Sequence, residues 1–588
     1  MNDNSPDQPI RPRSRIDRRQ FIKSAGGTTA LAAGMVPFRG SQAASKRGWD
    51  YEADVVVAGS GAAGLAGAVT AASEGARVLV LEAAPVPGGT TARSGGGFWI
   101  PNNKFMRARG QTDAREDAIR YMAHYSFTQL YNPKDPYCGL PENSYRLIAA
   151  FYDNAAPAIE RFEALGALKT FGDLSRYHGK DEYDYWDYAP ENKAPLGRCI
   201  FAATADSAAP SGGAGLILQL LEWLKQRNVP LLLEHRVVRL VTNNNGEVVG
   251  VEATTDQGQK VVTVKARKAV HIGTGGFLQN EDLKLNFQRA PVFGGCSPMT
   301  NQGDFVYMAT SIGAKLGNMQ NGWRFQLVLD QVLQTPSLAT DMWHNPGDGA
   351  FMVNKFGRRV VNEKSNYNDR SEIHAVYDCT SNEWANLVLF FIYDERTRKL
   401  AAGQFPFPPI DTASPYVLTA GSFEELTAAI SDRLAKFAPR TGGFKLDDSF
   451  LINLKETVIR FNRYADTGID EDFRRGQSNY ERESAWETPG NDKPNKTMYP
   501  LSSNGPYHAI LTVLGSIDSN GGPVINANAQ VLSMSGAPIP GLYGAGNCIA
   551  APSGRAYWGA GGTIGPAMVF GSLAGMHAVK QQVKHEVA

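Results

Sequence analysis

An α/β fold that opens on a Rossmann-like dinucleotide-binding domain is what the sequence predicts. Two observations predict it: a strand–glycine turn–helix–strand–acid unit over residues 51–82, and a later strand, 268–272, that again runs into glycines. A third sets the scale. The 588 residues, 43% hydrophobic and 20% charged, leave room for two or three globular domains. With 61 Gly and 33 Pro the composition has no collagen-like or disordered bias. Lys and Arg number 59 against 58 Asp and Glu, a net charge of +1, so no basic field points to nucleic acid. Cys138, Cys199, Cys296, Cys379 and Cys548 are scattered and odd in number. They form no disulfide framework, no CxxC metal site and no haem attachment motif, and no metal is expected. Past the N-terminal stretch no apolar run approaches the ~20 residues of a membrane span.

The first 44 residues read as an address. A polar, basic region ends in Asp17-Arg18-Arg19-Gln20-Phe21-Ile22-Lys23, a weakly apolar stretch runs from Ser24 to Val36, and small residues close at Ser41-Gln42-Ala43-Ala44. That order is the order of a signal peptide. The arginine pair with Phe-Ile-Lys resembles a twin-arginine (Tat) signal, which is read by a receptor. The resemblance implies a protein that folds around its cofactor before export, and a periplasmic destination.

The fingerprint follows. Tyr51–Ala58 has the short, β-branched pattern of a buried parallel strand. It runs into Gly59-Ser60-Gly61-Ala62-Ala63-Gly64, an alanine-rich helix from Leu65 to Ser73, a strand from Arg77 to Leu81, and Glu82. This is the complete dinucleotide motif with its acidic residue about 20 positions on. Gly59 permits the tight turn, Gly61 admits the pyrophosphate, and Gly64 lets helix and sheet meet. Ala62 and Ala63 open the helix, whose free N–H groups and partial positive charge face the phosphates. Glu82 is placed to accept from the ribose hydroxyls.

Residues 83–99 hold five glycines and no helical period, so a loop is expected. This stretch resembles the flavin-facing loop of the succinate dehydrogenase/fumarate reductase flavoprotein superfamily. The resemblance implies FAD, with Gly89, Thr90, Thr91, Ser94, Gly95, Gly96 and Gly97 among its contacts. Covalent members carry a His where this chain has Thr90-Thr91, so FAD is expected to bind noncovalently. Glu247–Glu252 and Lys268–Ile272 read as strands, the second leading into Gly273-Thr-Gly-Gly-Phe277, with Val237 and Gly275 as further expected contacts. Pro540-Gly-Leu-Tyr-Gly-Ala-Gly546-Asn547 resembles the superfamily's second flavin-binding turn, and Gly562, Thr563 and Ile564 open a helix that carries Pro566 in its first turn. The implied architecture is a Rossmann-like FAD-binding domain of glutathione-reductase type in two parts, 49–324 and 501–588. An inserted α+β capping/catalytic domain, 325–500, would place the active site at the seam.

The segment from Asn547 to Gly571, with Gly554-Arg555-Ala-Tyr557-Trp-Gly559-Ala-Gly561-Gly, closely resembles 3-ketosteroid Δ1-dehydrogenases, which desaturate the steroid A ring. The resemblance implies that the Tyr557 hydroxyl and the Gly561 N–H hold the ketone oxygen as two fixed donors. In the frame Asn362-Glu363-Lys-Ser-Asn-Tyr367, Tyr367 matches the residue that takes the C2 proton while the C1 hydride passes to flavin N5. A second tyrosine that supports it is assigned to Tyr188, from a segment that also offers Tyr183 and Tyr185. Fumarate-type members have Arg where Tyr367 stands and a His-x-Thr-x-Gly-Gly where this chain reads Gly515-Ser-Ile-Asp-Ser-Asn-Gly-Gly522, so a neutral ketone fits better than a dicarboxylate. Departures from the steroid pattern occur at Asp518-Ser519-Asn520 and at Trp558. A smaller cyclic ketone such as cyclohexanone, a fumarate- or urocanate-type enoate reductase, and a flavin electron carrier are the competing readings. Arg555 is a possible carboxylate anchor under the reductase reading; His374 and His508 read as structural. Reoxidation needs an external acceptor, a quinone or a cytochrome, because the chain has no haem motif.

Overall fold

The computed structural model describes residues 48–172, 182–203, 212–338, 342–484 and 489–584. The signal-like segment 1–44 lies outside the described residues.

Tyr51–Ala58 forms the strand its β-branched run implies. The helix that follows spans Ala62–Ser73 and so begins inside the glycine turn, three residues before the apolar run starts. Val78–Leu81 pairs parallel with the first strand, in the register Val55 to Val78 through Ala58 to Leu81. On its other side runs Lys260–Ile272, also parallel, followed by Pro538–Gly544. One sheet therefore joins segments nearly 500 residues apart, in the order 530–532, 538–544, 260–272, 51–58, 78–81, 231–232. Arg236–Thr242 and Val248–Thr255 add an antiparallel flap to it. Helix Ile564–Val579 packs along Ala62–Ser73 so closely that a Cβ on Gly571 would stand 2.3 Å from the Ala63 carbonyl.

The expected loop 83–99 is not all loop. Gly89–Ala92 makes one helical turn, and Gly97–Trp99 is a strand paired with Cys199–Ala202. Its partner lies a hundred residues away, so no local periodicity could announce it.

A second, antiparallel sheet takes Gly322–Val328, Ala350–Val353, Val388–Asp394, Val417–Ala420 and Tyr507–Ser519. Tyr507–Ser519 is its centre, with all 13 residues buried. The sheet thus draws strands from both sides of the expected cuts at 325 and 500. A single continuous core runs through both sheets and includes Val55, Val57, Phe325 and Phe390. Each such side chain contributes about 1.5–3 kcal/mol by leaving water.

Candidate active site

The carboxyl ends of the parallel strands open on a cleft with about 920 Å³ of atom-free space, its mouth included. Of the residues expected at the cofactor, Gly59, Gly61, Ala62, Ala63 and Glu82 line its inner end. Gly89, Thr90, Thr91 and Ser94 line one side, and Val237, Gly275, Gly546, Asn547, Thr563 and Ile564 the rest. Five expected residues do not line it. Gly64 lies behind: a Cβ there would sit 1.9 Å from the Gly59 carbonyl, so it seats the helix on the strand. Gly96 faces the Gly212–Gly213 main chain, Gly97 lies in the strand beside Cys199, and Gly562 lies against the Tyr557 ring. Gly95 has nothing within 4 Å of an added Cβ.

Glu82 lines the cleft, but three of its roughly four lone-pair sites are taken by protein. Its Oε2 accepts from the Ser60 N–H at 2.9 Å and the Ser60 hydroxyl at 2.6 Å, and Oε1 from the Ala84 N–H at 2.9 Å. Ser60 in turn accepts from the Gly88 N–H at 2.9 Å, so the acid braces the fingerprint turn against the flavin loop. Sequence reasoning missed the middle residue of the motif, Ser60, and the later Thr274, Asn301 and Ile517, which also line the cleft. Thr274 and Ile517 lie in segments the sequence did mark, 273–277 and 515–522, as neighbours of the residues named there; Asn301 lies in no marked segment.

The cleft fits FAD. An added Cβ on Gly61 would meet nothing closer than 3.7 Å, so the space above its backbone is clear. Neither N-cap residue, Gly61 or Thr563, caps its helix with its own side chain. The Thr91 hydroxyl accepts from the Ala62 N–H at 3.2 Å, and the remaining first-turn N–H groups are left for anionic oxygens. Thr274 Oγ1 is buried without a protein partner.

Beside the cleft lies a buried cluster of aromatic rings. Tyr367 meets Tyr557 at 5.4 Å between ring centroids, Tyr185 at 5.3 Å and Trp343 at 4.9 Å, all edge to face. Tyr185 also meets Tyr557 at 5.2 Å and Tyr480 at 5.1 Å, and Trp323 closes on Tyr557 at 5.2 Å. Tyr367 begins a short helix, Tyr367–Ser371, whose cap is Asn366, accepting from the Asp369 N–H at 3.0 Å. The loop before it is pinned by Glu363, fully buried between Arg359 at 2.9 Å and Arg475 at 3.2 Å.

Tyr188 does not join this cluster. It is 68% exposed and packs on Trp186. Tyr185, 5% exposed, takes the place assigned to it, because the Tyr185 N–H donates to the Trp558 carbonyl at 3.2 Å and fastens that ring beside Tyr557. The two tyrosines lie in one turn, and only one face of a turn can point inward. Trp558 itself faces away from the pocket, into a core with Trp99 and Phe151.

Gly561 uses its carbonyl to accept from Trp99 N–H and Gly565 N–H, both at 3.0 Å. Among the described residues, no protein acceptor takes its own N–H. Arg555 is exposed, and its carbonyl accepts from the Asn368 amide at 3.3 Å. His374 and His508 are buried in the second sheet's surroundings, bonded to the Asn386 carbonyl at 2.6 Å and to Glu395 at 3.1 Å.

Burial sets the acidities. It holds the Tyr367 phenol well above its ordinary value, the nearby Tyr557 adds to this, and the Tyr185 hydroxyl works the other way. Tyr557 is pushed up to about 12 by burial, partly offset by hydrogen bonding with Tyr367 and Thr563. Glu182, unmarked by any motif, is pushed up to about 7 by burial, and its charge reaches Tyr185, Tyr480 and Tyr557.

A parallel sheet whose strand ends cradle a dinucleotide, with a wall of buried phenols beside it, defines a FAD-dependent oxidoreductase of the succinate dehydrogenase/fumarate reductase type. The comparisons agree. A family model described as an FAD binding domain matches residues 54–564. The 3-oxosteroid 1-dehydrogenase of Mycobacterium tuberculosis is 31% identical over 586 residues, covering 91% of this chain and 99% of its own. The 4-oxocyclohexanecarboxylate 2-dehydrogenase of Sinomonas cyclohexanicum is 30% identical over 556 residues, covering 89% and 92%. The solved 3-ketosteroid delta1-dehydrogenase of Sterolibacterium denitrificans, in complex with 1,4-androstadiene-3,17-dione, shares the fold at a TM-score of 0.74. It is 24% identical, and the match covers 90% of this chain and 99% of that one. The chain belongs to the family of FAD-binding flavoproteins that holds the 3-oxosteroid 1-dehydrogenases, and FAD is its cofactor.

Proposed function

We propose that the protein desaturates a cyclic 3-ketone between C1 and C2, with a 3-ketosteroid A ring as the substrate. The observation that carries this is the meeting of Tyr367, Tyr557 and Tyr185 in one buried pocket beside the FAD cleft. Bound in that cleft, FAD supplies the hydride acceptor. The protein's share is to hold the ketone and take a proton. Tyr557, still a phenol at neutral pH, donates to the ketone oxygen, and the free Gly561 N–H is the second donor. Fixed donors in a dry pocket favour the developing enolate more than the neutral ketone. Tyr367 takes the C2 proton, with the Tyr185 hydroxyl supporting its phenolate.

A monocyclic ketone is the second reading, favoured by a relative 30% identical whose name specifies 4-oxocyclohexanecarboxylate. Electrons leave to an external quinone or cytochrome. The Arg18-Arg19 segment supports export to the periplasm, which fractionation of cells carrying Arg18→Lys and Arg19→Lys tests: the variant should stay in the cytoplasm.

The deciding experiment mixes the oxidised holoenzyme anaerobically with androst-4-ene-3,17-dione, 4-oxocyclohexanecarboxylate, cyclohexanone or fumarate. A ketone should bleach the flavin band. Reaction of only the pre-reduced enzyme, and only with fumarate, would overturn the desaturase reading.

A further inference from the structure

Asp518 is the penultimate residue of the wholly buried strand Tyr507–Ser519 and has no solvent exposure. It does not line the FAD cleft, yet Asn301, Asn547 and its neighbour Ile517 do. Its Oδ2 accepts from the Asn301 side chain at 2.6 Å, the Gly276 N–H at 2.9 Å and the Asn547 side chain at 3.4 Å. Its Oδ1 accepts from the Ser519 N–H at 2.9 Å. Among the described residues no Lys, Arg or His pairs with it. A buried carboxylate without a cation is costly, and an asparagine of the same shape would fill the space with less penalty. Burial pushes its pKa up to about 6, against four donors that favour the anion.

The chemistry of a carboxylate explains what that cost brings. An ionised carboxylate only accepts, so each neighbouring carboxamide must turn its NH₂ toward it and its oxygen elsewhere. For Asn547 that oxygen accepts from the Trp323 indole N–H at 2.9 Å, a group that can only donate. Trp323 in turn stands edge-on to Tyr557. For Asn301 the NH₂ also reaches the Thr90 hydroxyl at 3.2 Å, and the oxygen has no protein donor among the described residues. It is left as an acceptor on the wall of the cleft.

We infer that Asp518 is a positioning residue: as an anion it fixes the polarity of Asn301 and Asn547, so that one carboxamide oxygen is offered to an N–H of bound FAD and the other holds Trp323 against Tyr557. One carboxylate thereby couples the cofactor cleft to the phenol pocket. Its negative charge also makes added negative charge in the cleft less favourable.

The test compares wild type with Asp518→Asn, in which an NH₂ competes for the same partners. Two readouts do not depend on turnover: the FAD dissociation constant by flavin fluorescence, and the flavin midpoint potential by reductive dye titration. Loss of one charge-assisted hydrogen bond corresponds to about tenfold weaker FAD binding. The midpoint potential should shift upward because a negative charge has gone. Unchanged affinity and potential, with only a lower Tm, would overturn the inference and leave Asp518 a folding residue. If Asp518→Asn does not fold, Asn301→Ala keeps the carboxylate and removes the cleft acceptor. Weaker FAD binding at unchanged Tm then supports the inference, and unchanged binding sinks it. Neither readout involves the ketone, so this result stands apart from the fate of the desaturase reading.

Discussion

Tyr367 and Tyr557 share a pocket and differ in what their hydroxyls must do. Under the proposed desaturation Tyr557 has to remain a phenol, and at about 12 it does so through pH 10. In the same proposal Tyr367 has to become a phenolate, and burial opposes this. The fraction of a base that is ionised rises tenfold per pH unit below its pKa, so anaerobic flavin reduction by substrate should accelerate from pH 7 to pH 10. Stopped-flow mixing checks this; in Tyr367→Phe the rate should fall by about 10²–10⁴ and the slope vanish, with FAD retained. A flat wild-type profile would mean that another group takes the proton. Tyr188→Phe should change the rate less than about twofold, since its ring is exposed. Glu182 supplies a stability test. Its folded pKa is raised to about 7 from an ordinary value of 4.5, so its favourable contribution is complete below the ordinary value and disappears as pH climbs through 7. Glu182→Gln should therefore match wild type in Tm near pH 5 and exceed it at pH 8. For the tyrosine beside Tyr367 the sequence reading selects Tyr188, and the structure puts Tyr185 there instead. Tyr183, Tyr185 and Tyr188 offer the same chemistry, and the choice rests on a main-chain bond from Tyr185 to Trp558, 373 positions away.

The fingerprint element was legible almost residue by residue, because each of its glycines answers a local demand. Gly59 adopts φ +98°, and an added Cβ would stand 2.3 Å from the Gly273 carbonyl. Gly61 and Gly64 separate two roles that a motif match lumps together. Gly61→Ala has room within the protein but occupies the space left for the pyrophosphate, so it should fold with near-normal Tm and fail to hold FAD. Gly64→Ala collides with main chain at 1.9 Å and should lower Tm, by an overpacking cost of about 1–3 kcal/mol, whether FAD is present or not. Thermal melts of the apo proteins and FAD titrations distinguish the two. The flavin loop was less legible: its strand at Gly97–Trp99 exists only because Cys199–Ala202 lies alongside. Asp518 was visible only as a departure from a familiar pattern, since three of its four donors, Gly276, Asn301 and Asn547, come from separate segments.

At the scale of the whole molecule, the FAD cleft is walled by residues from 58 to 94 and from 235 to 304 in the first part of the chain, and again from 517 to 567 in the last. Ligand binding to such a wall stabilises both halves together, so apo protein titrated with FAD should melt as one transition that moves upward with ligand concentration. The gain is about 2.7 kcal/mol at a hundredfold excess over Kd. Two separate transitions, only one of them moved by FAD, would show that the halves fold independently. The central strand Tyr507–Ser519 explains the coupling, because it completes the second sheet, brings Ile517 to the cleft wall and sets Asp518 behind the cleft asparagines. By itself the sequence determined the class of fold, the cofactor and the phenolic character of the pocket, since glycine spacing, strand patterning and motif residues are local properties of the chain. Only the tertiary structure decided which tyrosine stands beside Tyr367, that Trp558 belongs to the core, and that an aspartate anchors both cleft asparagines. Those outcomes depend on which distant segments meet, and burial and hydrogen-bond partners exist only once they have met.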